Sequence, residues 1–315
     1  MSASGSIELR PYQAAGVVAI RAGLMRHRAI VVVSPTGSGK GVMIAWIVAA
    51  AVGKGCRVIV LVPKIELVRQ TVAALARLGI AAGIIAAGHV ETPDLPVQVA
   101  SVATLARPER LARWAQWKPD LLLVDEAHHV VARSWRAIVE ALPCRRLVGF
   151  SATPARLDGK GLKAAFGEIV TVATARELSE AGWLSPVKTF VPPVLPDLSR
   201  ARIRRGDYVS ADTAAIMNQT RFVGDAIEHY RRHCNGGPAL GYAVDIAHSE
   251  ALTAAFCAAG IRARHVDGKT SAGERAAAVA ALGSGDLDVL FNVNLFSETS
   301  ICFRKGSTRR PWPAC

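Results

Sequence analysis

Ser34-Pro35-Thr36-Gly37-Ser38-Gly39-Lys40 is a turn of small residues that ends in a cation, set between two apolar stretches. Val31, Val32 and Val33 before it are β-branched, as in a buried strand, and residues 42–52 after it are apolar, as in a buried helix. A strand, a Gly-rich turn and a helix in that order form a phosphate cradle. Successive backbone N–H groups line a concavity at the positive end of the helix. Lys40 adds a point charge suited to the β- and γ-phosphates of a nucleotide. The binding set is then Pro35, Thr36, Gly37, Ser38, Gly39, Lys40 and Gly41. Gly41 stands where such loops carry a Ser or Thr hydroxyl for Mg²⁺. In isolation the segment also reads as a Gly/Ser turn that happens to end in lysine.

Two further groups close apolar runs. Asp125-Glu126-Ala127-His128 follows Leu121, Leu122, Leu123 and Val124. A carboxylate at a strand end beside a phosphate loop can hold Mg²⁺ through water, and Glu126 can orient and deprotonate an attacking water. A solvated acidic turn is the alternative for this tetrad alone. Ser151-Ala152-Thr153-Pro154 ends the apolar stretch 147–150.

The elements that must position these groups alternate between two periods. Strands are expected at 29–33, 57–62, 97–101, 121–125 and 147–151, with helices at 41–52 and 66–78 between them. Such alternation predicts a parallel α/β sheet, with ligands at the carboxyl ends of its strands. A Pro-rich passage at 186–196 interrupts the pattern, and a basic segment with Arg200, Arg202, Arg204 and Arg205 follows. Strands at 239–244, 262–266 and 287–292 and helices at 249–259 and 271–282 then resume it. Beyond Phe296 neither period continues. The expected division is 1–185, a connecting segment 186–222, and 223–315 with an irregular tail from about 297.

Composition bounds the class. With 51% hydrophobic and 20% charged residues in 315, the chain can bury more than one core. Its longest apolar run, 42–52, is far below the roughly 20 residues of a membrane span. The six cysteines hold no CxxC pair, which argues against zinc and disulfide frameworks and suits a reducing cytoplasm. The net charge is +13, and residues 1–185 carry 22 basic against 13 acidic side chains. Such an excess suits a polyanionic partner, with an arginine-rich solvated surface as the alternative.

The ordered set PTGSGK, DEAH and SATP resembles the DEAD/DEAH-box helicases of superfamily 2, nearest the phage-type and type III restriction helicase subunits. Leu9-Arg10-Pro11-Tyr12-Gln13 is similar to that family's adenine-recognition motif. Pro63-Lys64-Ile65-Glu66-Leu67 and Ser101-Val102-Ala103-Thr104-Leu105 are similar to two motifs that touch the nucleic-acid backbone. Glu180-Ala181-Gly182-Trp183-Leu184-Ser185-Pro186 resembles the bridge between the family's two domains, and Val266-Asp267-Gly268-Lys269-Thr270 with Glu274-Arg275 a segment of its second domain.

The resemblance implies two tandem RecA-like P-loop NTPase domains, ATP and Mg²⁺ as cofactors, and ATP-dependent unwinding or translocation on DNA or RNA, with DNA favoured. It gives Lys40 the phosphates, Asp125 the metal and Glu126 the general base. Gln13 would read adenine; His128, Ser151 and Thr153 would couple nucleotide state to domain movement. Lys64, Ser101 and Thr104 would meet nucleic acid, and a nuclease or methyltransferase subunit is the expected partner.

Two departures stand against it. Gly41 lacks the hydroxyl, and after Ser297-Glu298 the family's Gly-x-Asp and arginine motifs do not follow. The expectation is therefore an incomplete second domain with strand 289–291 at an uncovered edge, and impaired turnover. The alternative is a module that binds ATP and nucleic acid without helicase activity, or a non-functional remnant.

Overall fold

The computed structural model describes residues 8–130, 132–153, 162, 165–190, 197–199, 201–204, 207–208, 210–217, 220–234, 236–293 and 295. Pro154, Arg200, Arg205 and the tail from Ser297 lie outside the described residues, as does part of the 186–196 passage. The chain forms two compact units, Met1–Leu184 and Ser185–Cys315.

In the first unit the order is α1 (Pro11–Arg26), β1 (Ala29–Val33), α2 (Lys40–Val52), β2 (Val58–Val62), α3 (Ile65–Ala76), β3 (Gly83–Ile85) and β4 (Val97–Ser101). It continues with α4 (Val102–Leu105), α5 (Pro108–Gln116), β5 (Leu121–Val124), α6 (Arg133–Ala141), β6 (Arg146–Ser151), β7 (Glu168–Thr171) and α7 (Ala175–Glu180). The seven strands form one sheet in the order β3-β4-β2-β5-β6-β1-β7, and every pairing is parallel.

Period-two alternation divides each strand's side chains between two cores. Ile30 and Val32, Val58 and Val60, and Val148 and Phe150 pack with Ile20 of α1, Met43 and Ile47 of α2, and Val68 and Leu75 of α3. Val31, Ile59, Leu61, Leu122 and Val124 face Leu105 of α4, Trp114 of α5, and Trp135 and Ile138 of α6. Helices therefore cover both faces, which is why β2 reads as five buried aliphatics without polar interruption.

The second unit holds a short antiparallel pair, β8 (Ile203–Arg204) with β9 (Asp207–Tyr208), then α8 (Ser210–Met217) and α9 (Thr220–His229). After them come β10 (Ala239–Tyr242), α10 (Ile246–Ala258), β11 (Ala263–Val266), α11 (Ala272–Ser284) and β12 (Val289–Asn292). The order β10-β12-β11 is parallel throughout.

This corrects the expectation of an uncovered edge at 289–291. Strand β12 is central, and Val289, Leu290 and Phe291 are buried between the α10 and α11 faces. The last strand among the described residues enters the middle of the sheet, where Val289 pairs with Ala239 on one side and Ala263 on the other. Among the described residues, no helix is long and apolar enough to cross a membrane.

Candidate nucleotide site

Strands β5, β6 and β1 are neighbours, and their carboxyl ends bring the three motifs together. The register aligns Val124 with Gly149 and Ser151 with Val33, so Asp125 and Ser34 each lie just past a paired strand end. Ser34 N donates to Ser151 O at 3.1 Å, and Asp125 N to Leu61 O at 2.9 Å. The loop and the acidic turn are thus continuations of the sheet ladder.

Within the loop, Gly37 and Gly39 take φ of 80° and 81°. This left-handed conformation is open to glycine at little cost and strained for other residues. A Cβ on Gly39 would lie 2.5 Å from Gln13 Nε2. Helix α2 begins at Lys40 with no side-chain cap at Gly39, and its first N–H groups have no acceptors within the helix. Ser34 Oγ bonds Ser38 Oγ at 2.7 Å, and Lys40 Nζ lies 3.4 Å from Ser34 O. At Gly41 a Cβ would meet nothing within 4 Å, so the missing hydroxyl has no steric cause.

Gln13 is buried, with both ends of its amide engaged. Its Nε2 donates to Ser38 O at 2.8 Å and its Oε1 accepts from Arg10 N at 2.9 Å. As placed, the side chain braces the phosphate loop. Tyr12 OH donates to the same Ser38 carbonyl at 2.7 Å. The Arg10 guanidinium lies 4.9 Å from the centre of the Trp183 ring, and Tyr12 packs against that ring at 5.9 Å. Trp183, legible in sequence only as part of a bridge segment, therefore belongs to the wall beside the loop. Its signal was a large aromatic 42% exposed, a property that a sequence does not carry.

The acidic turn is strained. Glu126 has φ 52°, a left-handed value uncommon for a residue with a side chain and frequent at functional sites. Its N–H donates to Asp125 Oδ1 at 3.0 Å. Burial, then repulsion from Glu126, raises the Asp125 carboxyl to about 6, against the opposing effects of that hydrogen bond and of Lys40. A buried carboxylate at such a cost, beside a second one and a lysine, suits a hard divalent cation such as Mg²⁺.

His128 Nδ1 lies 3.4 Å from Glu126 Oε2 and 3.2 Å from Ser151 Oγ. Ser151 Oγ donates to Thr153 O at 2.8 Å and accepts from Thr153 N at 3.2 Å. Glu126, His128, Ser151 and Thr153 thus form one polar chain across the ends of β5 and β6. Gly149 makes room for it: a Cβ there would lie 2.6 Å from Ala127 Cβ and 2.6 Å from Phe166 Cζ.

The residues expected to meet nucleic acid differ among themselves. Lys64 is exposed beyond β2, on the same edge of the sheet. Ser101 and Thr104 are buried, and the Ser101 hydroxyl donates to that of Thr104 at 2.9 Å. As placed, their side chains turn inward at the start of α4, and Ala103 is the exposed residue of that turn. The short Ser-x-x-Thr spacing closes a local bond, which competes with an outward contact.

The family model described as "Type III restriction enzyme, res subunit" matches residues 6–156, the span that contains all three motifs. A 51.5 kDa protein of Lactococcus phage (isolate 7-9) is 32% identical over 265 residues, covering 84% of this chain and 55% of the phage protein. The motif-bearing part of the chain is thus similar to the type III restriction helicase subunits, and most of the chain to the phage protein. The "DNA 3'-5' translocase XPB2" of Sulfurisphaera tokodaii is 32% identical over 155 residues, 49% of this chain and 33% of XPB2. The Pyrococcus furiosus Hef helicase domain shares the fold at a TM-score of 0.55 and 12% identity, over 91% of this chain and 86% of that one. The chain spans about half the length of the phage protein and a third of XPB2.

Proposed function

We propose that this chain is a nucleic-acid-stimulated ATPase module that binds ATP with Mg²⁺ and acts on DNA. The observation that carries the reading is the convergence of Lys40, Asp125, Glu126 and Ser151 at the carboxyl ends of three adjacent parallel strands. In this reading the loop N–H groups and Lys40 hold the phosphates. Asp125 holds the metal, which supplies charge neutralisation at the phosphates. Glu126 orients and deprotonates the attacking water, and the His128–Ser151–Thr153 chain carries the change at Glu126 to the end of β6. DNA is favoured over RNA because a relative 32% identical over 155 residues is named as a DNA translocase.

A second reading, an ATP-holding module with slow turnover, is favoured by Gly41, whose position offers the metal no hydroxyl. Steady-state hydrolysis with and without single- and double-stranded DNA and RNA separates the two. The ATPase reading expects turnover that rises with DNA and is abolished in Lys40→Ala and Glu126→Gln. Tight nucleotide binding with no stimulation by any nucleic acid supports the module, and unchanged nucleotide affinity in Lys40→Ala removes both.

A further inference from the structure

At the opposite pole of the first unit, a cavity of about 290 Å³ opens among α1, the end of α2, and the segments entering β2, β5 and β6. Leu24 and Trp46 contribute to its apolar lining, and Arg21, Lys54, Arg145 and Arg146 stand around it, all four exposed. Among the described residues, none of these four cations is paired with a carboxylate. The carboxylate of Asp120, which also lines the cavity, accepts from Arg57 N at 2.9 Å. The Asp120 carbonyl accepts from the N–H groups of Arg145 and Arg146 and holds both arginines at the rim. The Asp120 carboxylate is thus engaged by backbone. Among the described residues, the one hydrogen bond from the rim guanidinium groups runs from Arg146 Nη1 to Arg145 O at 3.4 Å, which leaves their charge unneutralised.

We infer that this cavity docks an acidic amphipathic segment of a partner protein, with an aliphatic side chain in the cavity and flanking carboxylates on the four cations. Apolar anchors set in a pocket and ringed by complementary charge are the usual form of such recognition. The volume lies at the lower edge of pockets that take drug-sized ligands, which suits an inserted side chain. Single-stranded nucleic acid fits less well. It gains affinity by stacking bases on open aromatic faces, and the Trp46 ring already carries the Arg21 guanidinium at 5.3 Å while its other parts pack into the core. The surface lies away from the strand ends that carry Lys40 and Asp125, so a partner could sit here without entering the nucleotide site.

The test uses the full chain and a fluorescein-labelled helical peptide with glutamates on one face and leucines on the other, followed by anisotropy. Binding is expected to fall at least about tenfold in the double variant Arg145→Glu/Arg146→Glu, and similarly when the peptide leucines become serines. Both substitutions are at exposed positions, and affinity for a fluorescent ATP analogue, measured in the same samples, should stay unchanged. No peptide binding, or binding that survives the charge reversal or the leucine replacement, overturns the proposal. So does displacement of the peptide by a single-stranded oligonucleotide whose own binding depends on Arg145 and Arg146, which would assign the cavity to nucleic acid.

Discussion

His128 Nδ1 stands 3.2 Å from Ser151 Oγ, joining the turn after β5 to the end of β6. Ser151 spends its only proton on Thr153 O, so the imidazole nitrogen is the donor in this pair. The same nitrogen lies 3.4 Å from the Glu126 carboxylate, so a change of charge at Glu126 alters the hold on Ser151. Ser151→Ala should leave nucleotide affinity within about twofold while lowering nucleic-acid stimulation of hydrolysis, at about 1 kcal/mol of stability for the lost bonds. Titration with a fluorescent nucleotide, paired with stimulated rates, checks it; a loss of affinity with stimulation intact would contradict the coupling role.

Asp125 makes the site sensitive to pH. Its carboxyl is raised from 3.8 to about 6 by burial and by Glu126. The folded protein therefore binds this proton more tightly than the unfolded chain does. That contribution to stability is full below about 3.8 and is lost as pH rises through about 6. Ionised Asp125 costs the nucleotide-free protein on the order of 3 kcal/mol at neutral pH. Asp125→Asn should raise the melting temperature at pH 8 and flatten its dependence on pH. Mg²⁺-dependent nucleotide binding should weaken in the wild type as pH falls below about 6, and a flat profile from pH 5 to 8 would refute this.

Gly149 leaves no room for even a small change. Alanine there drives a methyl group into Ala127 and Phe166, each 2.6 Å from its Cβ. The strand is fixed on both sides by β5 and β1, so the acidic turn must yield. Gly149→Ala should cost about 1–3 kcal/mol in urea denaturation and lower turnover more than nucleotide affinity. A stable variant with normal turnover would mean that the turn tolerates displacement.

Gln13 and Gly39 act as one unit. Gln13→Ala removes one of the two side-chain donors to Ser38 O and the side-chain acceptor of the Arg10 N–H, a loss of about 1 kcal/mol. Gly39→Ala meets the same amide at 2.5 Å and strains φ. Each variant should weaken nucleotide binding. Guanine nucleotide affinity should fall in parallel with adenine affinity in Gln13→Ala if the residue acts through the loop. A selective loss of adenine nucleotide affinity would identify it as a base reader.

Gly41→Thr adds a hydroxyl where a side chain meets no neighbour. It should gain a few tenths of a kcal/mol in helix propensity and sharpen the Mg²⁺ dependence of nucleotide binding. Calorimetric titration with and without Mg²⁺ measures it. No change in Mg²⁺ dependence would show that the hydroxyl is immaterial in this loop.

The sequence by itself determined the strands that bear the chemistry. Residues 29–33 appear as read because a strand buried on both faces must be apolar along its whole length. The same logic set Asp125 and Ser151 at strand ends, where polarity begins. Residues 83–85 and 168–171 escaped it, since edge strands β3 and β7 are short and β7 exposes alternate side chains. Only the tertiary structure decided which strands adjoin, and with that the meeting of Lys40, Asp125 and Ser151, because pairing is set by packing between residues far apart in the chain. It likewise turned Gln13, Ser101 and Thr104 inward and placed β12 at the centre of its sheet. A polar side chain's direction depends on the partners that folding brings near it, and those partners are not written beside it in the sequence.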